Sequence, residues 1–159
     1  QLAPYALMQR AGTATARLAL ALAPHARCIW IACGPGNNGG DGLEAATQLH
    51  RLGLPVCVTW LGSPETAPKD ALHAWQRAQA AGVPLSDQPP THLGPMDLCI
   101  DAVLGIGLQA RAVAPAIEGA SSTPVQRVRQ ALQQSQAPVL CVDVPSGLLC
   151  DTGQYLPEW

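Results

Sequence analysis

The sequence predicts an α/β domain: a mostly parallel sheet with helices on both faces. Short continuous apolar runs of strand length alternate with segments whose apolar residues recur every three or four positions. That alternation requires crossover connections, and crossovers imply parallel strands covered by helices. Composition agrees, since 159 residues with 48% hydrophobic and 13% charged side chains can fill one core. A single domain over 1–159 is therefore expected.

The elements follow in order. A helix is predicted from about Tyr5 to Leu22, because Met8, Ala11, Thr15, Leu18 and Leu22 fall on one inward face. Pro24 ends it. Cys28–Cys33 is a continuous apolar run suited to a strand buried on both faces. Gly34 to Gly42 is a loop by composition, with Asp41 able to cap a helix that turns Ala45, Leu49 and Leu52 inward and stops at Gly53.

Pro55–Trp60 reads as the second strand, and a helix over Pro68–Ala81 buries Leu72, Trp75 and Ala78. A short strand near Val83–Leu85 precedes a proline-rich loop from Ser86 to Pro95. Asp97–Leu104 is another strand, Pro124–Gln134 a helix on Val125, Val128 and Leu132, and Pro138–Val144 a last strand. No hairpin signal stands out.

Several classes are disfavoured. Nine basic and eleven acidic residues give a formal charge of −2, with no basic stripe for a nucleic-acid backbone. The apolar stretch Leu18–Ala23 follows Arg10 and Arg17 like a secretory signal. However, it is far short of the roughly 20 residues of a membrane span, and its periodicity is that of a mature helix. Five of the six cysteines, Cys28, Cys33, Cys57, Cys99 and Cys141, lie in or beside apolar runs; Cys150 sits in a loop. No Cys-x-x-Cys pair or histidine at metal-ligand spacing accompanies them, so they read as thiols of a reducing, cytoplasmic setting. The four histidines share no spacing, no Gly-x-Ser-x-Gly elbow exists, and Trp30, Trp60 and Trp75 suit core positions.

Open parallel sheets bind ligands beyond the carboxyl ends of their strands, and three such ends are unusual here. Gly34-Pro-Gly-Asn-Asn-Gly-Gly-Asp-Gly42 holds five glycines in nine residues, and Asn37, Asn38 and Asp41 exceed what a turn needs. It is neither a Walker A loop nor a dinucleotide fingerprint. Asp101 lies in an apolar strand, where a carboxylate is costly without a cation or several donors; Gly105, Gly107 and Arg111 follow it. Asp143 ends the last strand beside the rigid turn Pro145-Ser146-Gly147, a placement that suits an acid/base. Each taken alone has a plain structural reading, as a turn or a satisfied carboxylate; their convergence on one rim is the functional signal.

These three segments, in this order and spacing, resemble the YjeF N-terminal domain, and Leu7-Met-Gln-Arg-Ala-Gly12 is similar to that family's first helix. The resemblance covers nearly the whole chain. It implies a Rossmann-like three-layer α/β/α sandwich and NAD(P)H-hydrate epimerase activity, an isomerase reaction in nicotinamide cofactor repair. It also implies that the family's C-terminal strands lie beyond Trp159, leaving an exposed sheet edge, and the start at Gln1 suggests sequence before it.

Carried over by position, the resemblance implies that Asn37, Asn38, Gly39, Gly40 and Asp41 bind hydrated NADH or NADPH (NADHX, NADPHX). Gly105, Ile106, Gly107, Leu108, Gln109, Ala110, Arg111 and Asp143 would complete that site, with Asp143 catalytic. A potassium ion (K+) would be held by the oxygens of Asn38, Asp101 and Ser146, giving Asp101 its compensation. Some family members carry lysine near position 109; with Gln109 here, positive charge in that loop would come from Arg111. The functional partner would be an ADP-dependent NAD(P)H-hydrate dehydratase, fused or separate, and a homo-oligomer stays open. The main rival is a non-catalytic ligand-binding or interaction module. An ordinary nicotinamide oxidoreductase ranks lower, because Thr59-Trp60-Leu61-Gly62 offers no acidic residue for the ribose.

Overall fold

The computed structural model describes residues 5–107, 123–156 and 159. Its elements are α1 (Ala6–Leu22), β1 (Ile29–Cys33), α2 (Asn37–Arg51), β2 (Val56–Trp60), α3 (Lys69–Ala80), β3 (Leu85–Ser86), β4 (Leu98–Ala102), α4 (Pro124–Gln134), β5 (Val139–Cys141), β6 (Leu148–Leu149) and β7 (Gln154–Tyr155). Five strands form a sheet of order β3-β2-β1-β4-β5, every neighbouring pair parallel. The chain starts in the middle at β1, winds out to β3, then returns to the other side of β1. That reversal puts a topological switch point at the carboxyl ends of β1 and β4, where such sheets take their ligands.

Every residue of β1 and β4 is buried, which is why both are continuous apolar runs. Alternate residues serve opposite faces. Ile29, Ile31, Cys33, Leu98, Ile100 and Ala102 pack on the side of α1, α2 and α3; Trp30, Ala32 and Cys99 pack with Leu93 and Val128 of α4. Thr123 caps α4 in a reciprocal box with Gln126.

One buried carboxylate joins the three helices of the first face. Glu44 of α2 accepts from Tyr5 Oη at 2.7 Å and Gln48 Nε2 at 3.1 Å, and pairs with Arg77 Nε of α3 at 3.2 Å. Gln48 also donates to Thr13 Oγ1 of α1 at 2.8 Å. A methyl at Gly12 would sit 2.6 Å from Glu44 Cβ, so α1 approaches α2 closely only because position 12 is glycine.

Close approach also corrects the expected face of α1. Its buried residues are Met8, Gly12, Ala16 and Ala19, whereas Leu18 and Leu22 are exposed and Ala11 and Thr15 half-exposed. Bulky residues drew the stripe in the sequence, but tight helix contact selects small ones. The same logic buries Ala71, Ala74 and Ala78 of α3 and leaves Leu72 and Trp75 half-buried, with Trp75 stacked on Trp60 at 5.3 Å. Leu52, expected inside, is exposed because it caps α2 as the helix ends.

Strand limits also shift. The short strand is Leu85–Ser86, set by pairing to Val58 and Thr59, and the last two strands of the sheet are each shorter than their apolar runs. A small antiparallel hairpin, β6 with β7, closes over the Asp151-Thr152-Gly153 turn. Gly153 takes a φ of 70° there, which is the hairpin signal the sequence reading passed over. β5 lies at the end of the sheet order, with Val139 exposed. No helix among the described residues is long and apolar enough to cross a membrane.

Replacing Glu44 with alanine strands a buried phenol and a guanidinium at once. Unfolding in urea is expected to lose about 3 kcal/mol, the order seen when one partner of a buried pair is removed. Loss under about 1 kcal/mol would mean the three helices are held by apolar packing alone.

Candidate functional site

The site begins with Asp101, next to last in β4 and paired to Ala32 of β1 and Cys141 of β5. Its buried carboxylate takes three protein donors: Ser146 Oγ at 2.5 Å, Ser146 N at 2.9 Å and Val103 N at 3.2 Å. Ser146 Oγ in turn accepts from Leu104 N at 2.8 Å. The compensation that the sequence reading assigned to a cation is therefore supplied largely by hydrogen bonds of the fold itself. Asp101 and Ser146, which the sequence placed on one rim, do meet.

The same two loops are tied a second time. Asp143 Oδ2 accepts from Ile106 N at 2.8 Å, and Asp143 sits at φ 69°, a left-handed conformation uncommon outside glycine. A methyl at Gly105 would lie 2.7 Å from Asp143 Oδ2 and 3.4 Å from Asn38 Cγ, so glycine there lets all three segments converge.

The glycine-rich stretch is not the loop its composition suggested. α2 begins at Asn37 with Gly36 as its N-cap, so Gly39, Gly40, Asp41 and Gly42 belong to the helix. Asp41 is its fifth residue and caps nothing. Gly39 packs on the Gly34 carbonyl, and a methyl at Gly42 would meet Ala102 Cβ at 2.7 Å and Cys33 Sγ at 2.9 Å. These glycines allow contact between helix and sheet, a demand composition alone cannot distinguish from turn flexibility.

Between α2, the exits of β1 and β4, and the segment after β5 lies a cleft of about 830 Å³. Asn37, Asn38, Asp41, Gly105, Ile106, Gly107 and Asp143 line it. Gly39 and Gly40 are buried behind it; Leu108, Gln109, Ala110 and Arg111 lie outside the described residues. The fourth wall was missed: Ala11, Ala14, Thr15 and Leu18 of α1 face the cleft. Three of them belong to the stripe read as a core face, so the apolar signal was present in the sequence but was assigned to packing.

Two polar groups in the cleft are poorly accommodated. Both amide atoms of Asn38 are buried without a hydrogen-bond partner. Burial, together with the negative charge of Asp143, raises the Asp41 carboxyl from 3.8 to about 6. No group of three or more histidine, cysteine, aspartate or glutamate side chains placed to hold a metal occurs among the described residues. Oxygen ligands from amide, hydroxyl and carboxylate groups suit only a hard cation. Asn38 Oδ1 is unpartnered, and Asp101 Oδ2 has one protein donor for two lone pairs. The residues are thus compatible with such an ion.

Fold and cleft together define a domain of the doubly wound α/β class, with its cleft at the switch point. Within that class the chain belongs to the family described as YjeF-related protein N-terminus, whose model matches residues 4–159. It is 41% identical over 153 residues to a protein of Bordetella pertussis named NAD(P)H-hydrate epimerase, covering 96% of this chain and 62% of the relative. It is 35% identical to the bifunctional NAD(P)H-hydrate repair enzyme Nnr of Coxiella burnetii, covering 94% of this chain and 29% of that one. The chain thus spans about three-fifths of the former and under a third of the latter. The crystal structure of yeast ynu0 superimposes with a TM-score of 0.69 over 89% of this chain and 61% of that one at 24% identity, a likeness of fold.

The raised Asp41 carboxyl has a thermodynamic consequence. A carboxyl whose folded pKa exceeds its unfolded value contributes stability below the unfolded value, near 3.8, and loses it as pH rises through about 6. Asp41→Asn is therefore expected to raise the melting temperature at pH 8, with the gain shrinking as pH falls toward 4. A gain independent of pH would show that burial does not perturb this carboxyl.

Proposed function

We propose that the cleft binds hydrated NADH or NADPH and interconverts the R and S epimers of the hydrate, an isomerase activity in nicotinamide cofactor repair. The observation that carries this reading is the carboxylate of Asp143, pinned to Ile106 N at the cleft wall and facing the same space as Asn38 and Asp41. The names of the Bordetella and Coxiella relatives support the substrate.

The chemistry begins with a positioned carboxyl. The epimeric carbon is bonded to both the ring nitrogen and a hydroxyl. Protonating the hydroxyl lets the C–O bond break, with its electron pair leaving on water and the nitrogen stabilising a planar iminium cation. Water then adds to the opposite face and gives up a proton. Asp143 as acid/base promotes both steps, and its negative charge favours the cation between them.

Asn37, Asn38 and Asp41, with the backbone from Gly39 and Gly40 and the segment from Gly105 through Ile106, Gly107, Leu108, Gln109 and Ala110 to Arg111, would hold the dinucleotide. The unpartnered Asn38 amide supplies both a donor and an acceptor. A potassium ion would be held by Asn38, Asp101 and Ser146 and would supply positive charge to the site. The domain would span the whole chain and work in the cytoplasm. There, a dehydratase specific for one epimer would draw on the equilibrated pool.

The test is epimerisation of separated NADHX epimers by the purified protein. Asp143→Asn is expected to lose at least 100-fold in rate, with folded spectra retained. Replacing potassium with tetramethylammonium should weaken substrate binding several-fold. Binding of NADHX without interconversion would move the non-catalytic module into first place.

A further inference from the structure

We propose that Asp41 is a second catalytic carboxylate, serving the face of the nicotinamide hydrate opposite to Asp143, so that the enzyme inverts its substrate with one carboxyl on each face. The inference rests on the epimerase reading above and deepens it. Inversion at a hydroxyl-bearing carbon requires the oxygen to leave from one face and return on the other. A single fixed carboxyl lies near only one of those faces, and either the bound ring must turn over or a second proton carrier must stand across the cleft.

The cleft holds a second carboxyl beside that of Asp143. Asp41 projects from α2 and Asp143 from the segment after β5, so the two carboxyls enter one cavity from different elements. Asp143 is held at its wall by Ile106 N, whereas Asp41 is half-buried and has no capping duty in α2. Among the described residues, α1 contributes only Ala11, Ala14, Thr15 and Leu18 to this cavity, and the exit of β4 contributes no charged side chain. Cys141 and Asp143 are the titratable groups from the β5 side. Burial and the negative charge of Asp143 both raise the proton affinity of Asp41, whose carboxyl is brought to about 6.

The step balances. Asp41 gives its proton to the departing hydroxyl, the C–O bond breaks with its pair on oxygen, and water leaves. A second water bonds to the opposite face of the iminium carbon and passes its proton to Asp143. One proton has moved from Asp41 to Asp143, and exchange with solvent restores the starting state. The reverse reaction uses the same groups with their roles exchanged.

The experiment follows oxygen exchange from ¹⁸O-labelled water alongside inversion, for each separated NADHX epimer. The wild-type protein should exchange both epimers and invert them. Asp41→Asn should lose inversion by at least 100-fold yet keep exchange without inversion into one epimer alone, through Asp143. Asp143→Asn should keep exchange into the other epimer alone, and Asp41→Glu should recover part of the inversion. Asp41→Asn that inverts within about 5-fold of wild type, or that loses exchange into both epimers equally, overturns the proposal. A wild-type protein that neither exchanges nor inverts overturns the epimerase reading itself.

Discussion

The site depends on the buried carboxylate of Asp101. A charge in the second-last position of a central strand would be strongly unfavourable if left bare. Its three donors come from Val103, just beyond the strand, and from both the amide and the hydroxyl of Ser146. Satisfying Asp101 therefore draws the segment after β5 onto the exit of β4, and Ser146 extends the link to Leu104 N. Asp143 and Ile106 are brought within hydrogen-bond reach as a result. What looks in the sequence like a lone polar residue in an apolar strand is the peg on which two loops hang.

The second constraint is the closeness of α2 to the sheet. Three glycines within its first two turns cost roughly 1 kcal/mol each relative to alanine, so propensity alone argues against a helix there. Contact decides otherwise. Gly39 lies against the Gly34 carbonyl and Gly42 against Ala102 and Cys33, where any side chain would push the helix away. Withdrawing α2 would carry Asn38 and Asp41 out of reach of Gly105 and Asp143. The glycines are thus a positional device for the polar residues between them.

Much of this fold was legible because parallel strands buried on both faces leave an unmistakable pattern, and their carboxyl ends locate the cleft without further information. What escaped the sequence follows one physical rule: periodicity registers size and apolarity, not distance. The face of α1 was assigned by its large residues, yet Gly12, Ala16 and Ala19 are the ones pressed against the body. Ala11, Thr15 and Leu18 were recognised as a stripe, and only their destination was wrong, since they line the cleft. Asp41 was read as a cap because glycines around it suggested a loop. Two of the three donors that satisfy Asp101 could not be foreseen, because they come from a residue 45 positions away in the chain.

Most buried polar side chains of the body are satisfied, although Trp60 Nε1 is not. Glu44, Thr47, Thr59, Asp101 and Ser146 all find partners. In the cleft the treatment is opposite. The Asn38 amide has none, at roughly 1–3 kcal/mol for each unsatisfied group. Asp143 sits in a left-handed conformation, and Asp41 is burdened by burial and by its neighbour's charge. Asp101 and Asp41 are the same residue type, one strand and one helix apart, yet one is surrounded by donors and the other is denied them. A fold able to satisfy the first has no general difficulty in satisfying the second. Several unfavourable terms gathered around one cavity are what a site kept ready for a polar ligand looks like. The missing hydrogen bonds of Asn38 describe what such a ligand must bring: groups that donate and accept at the amide.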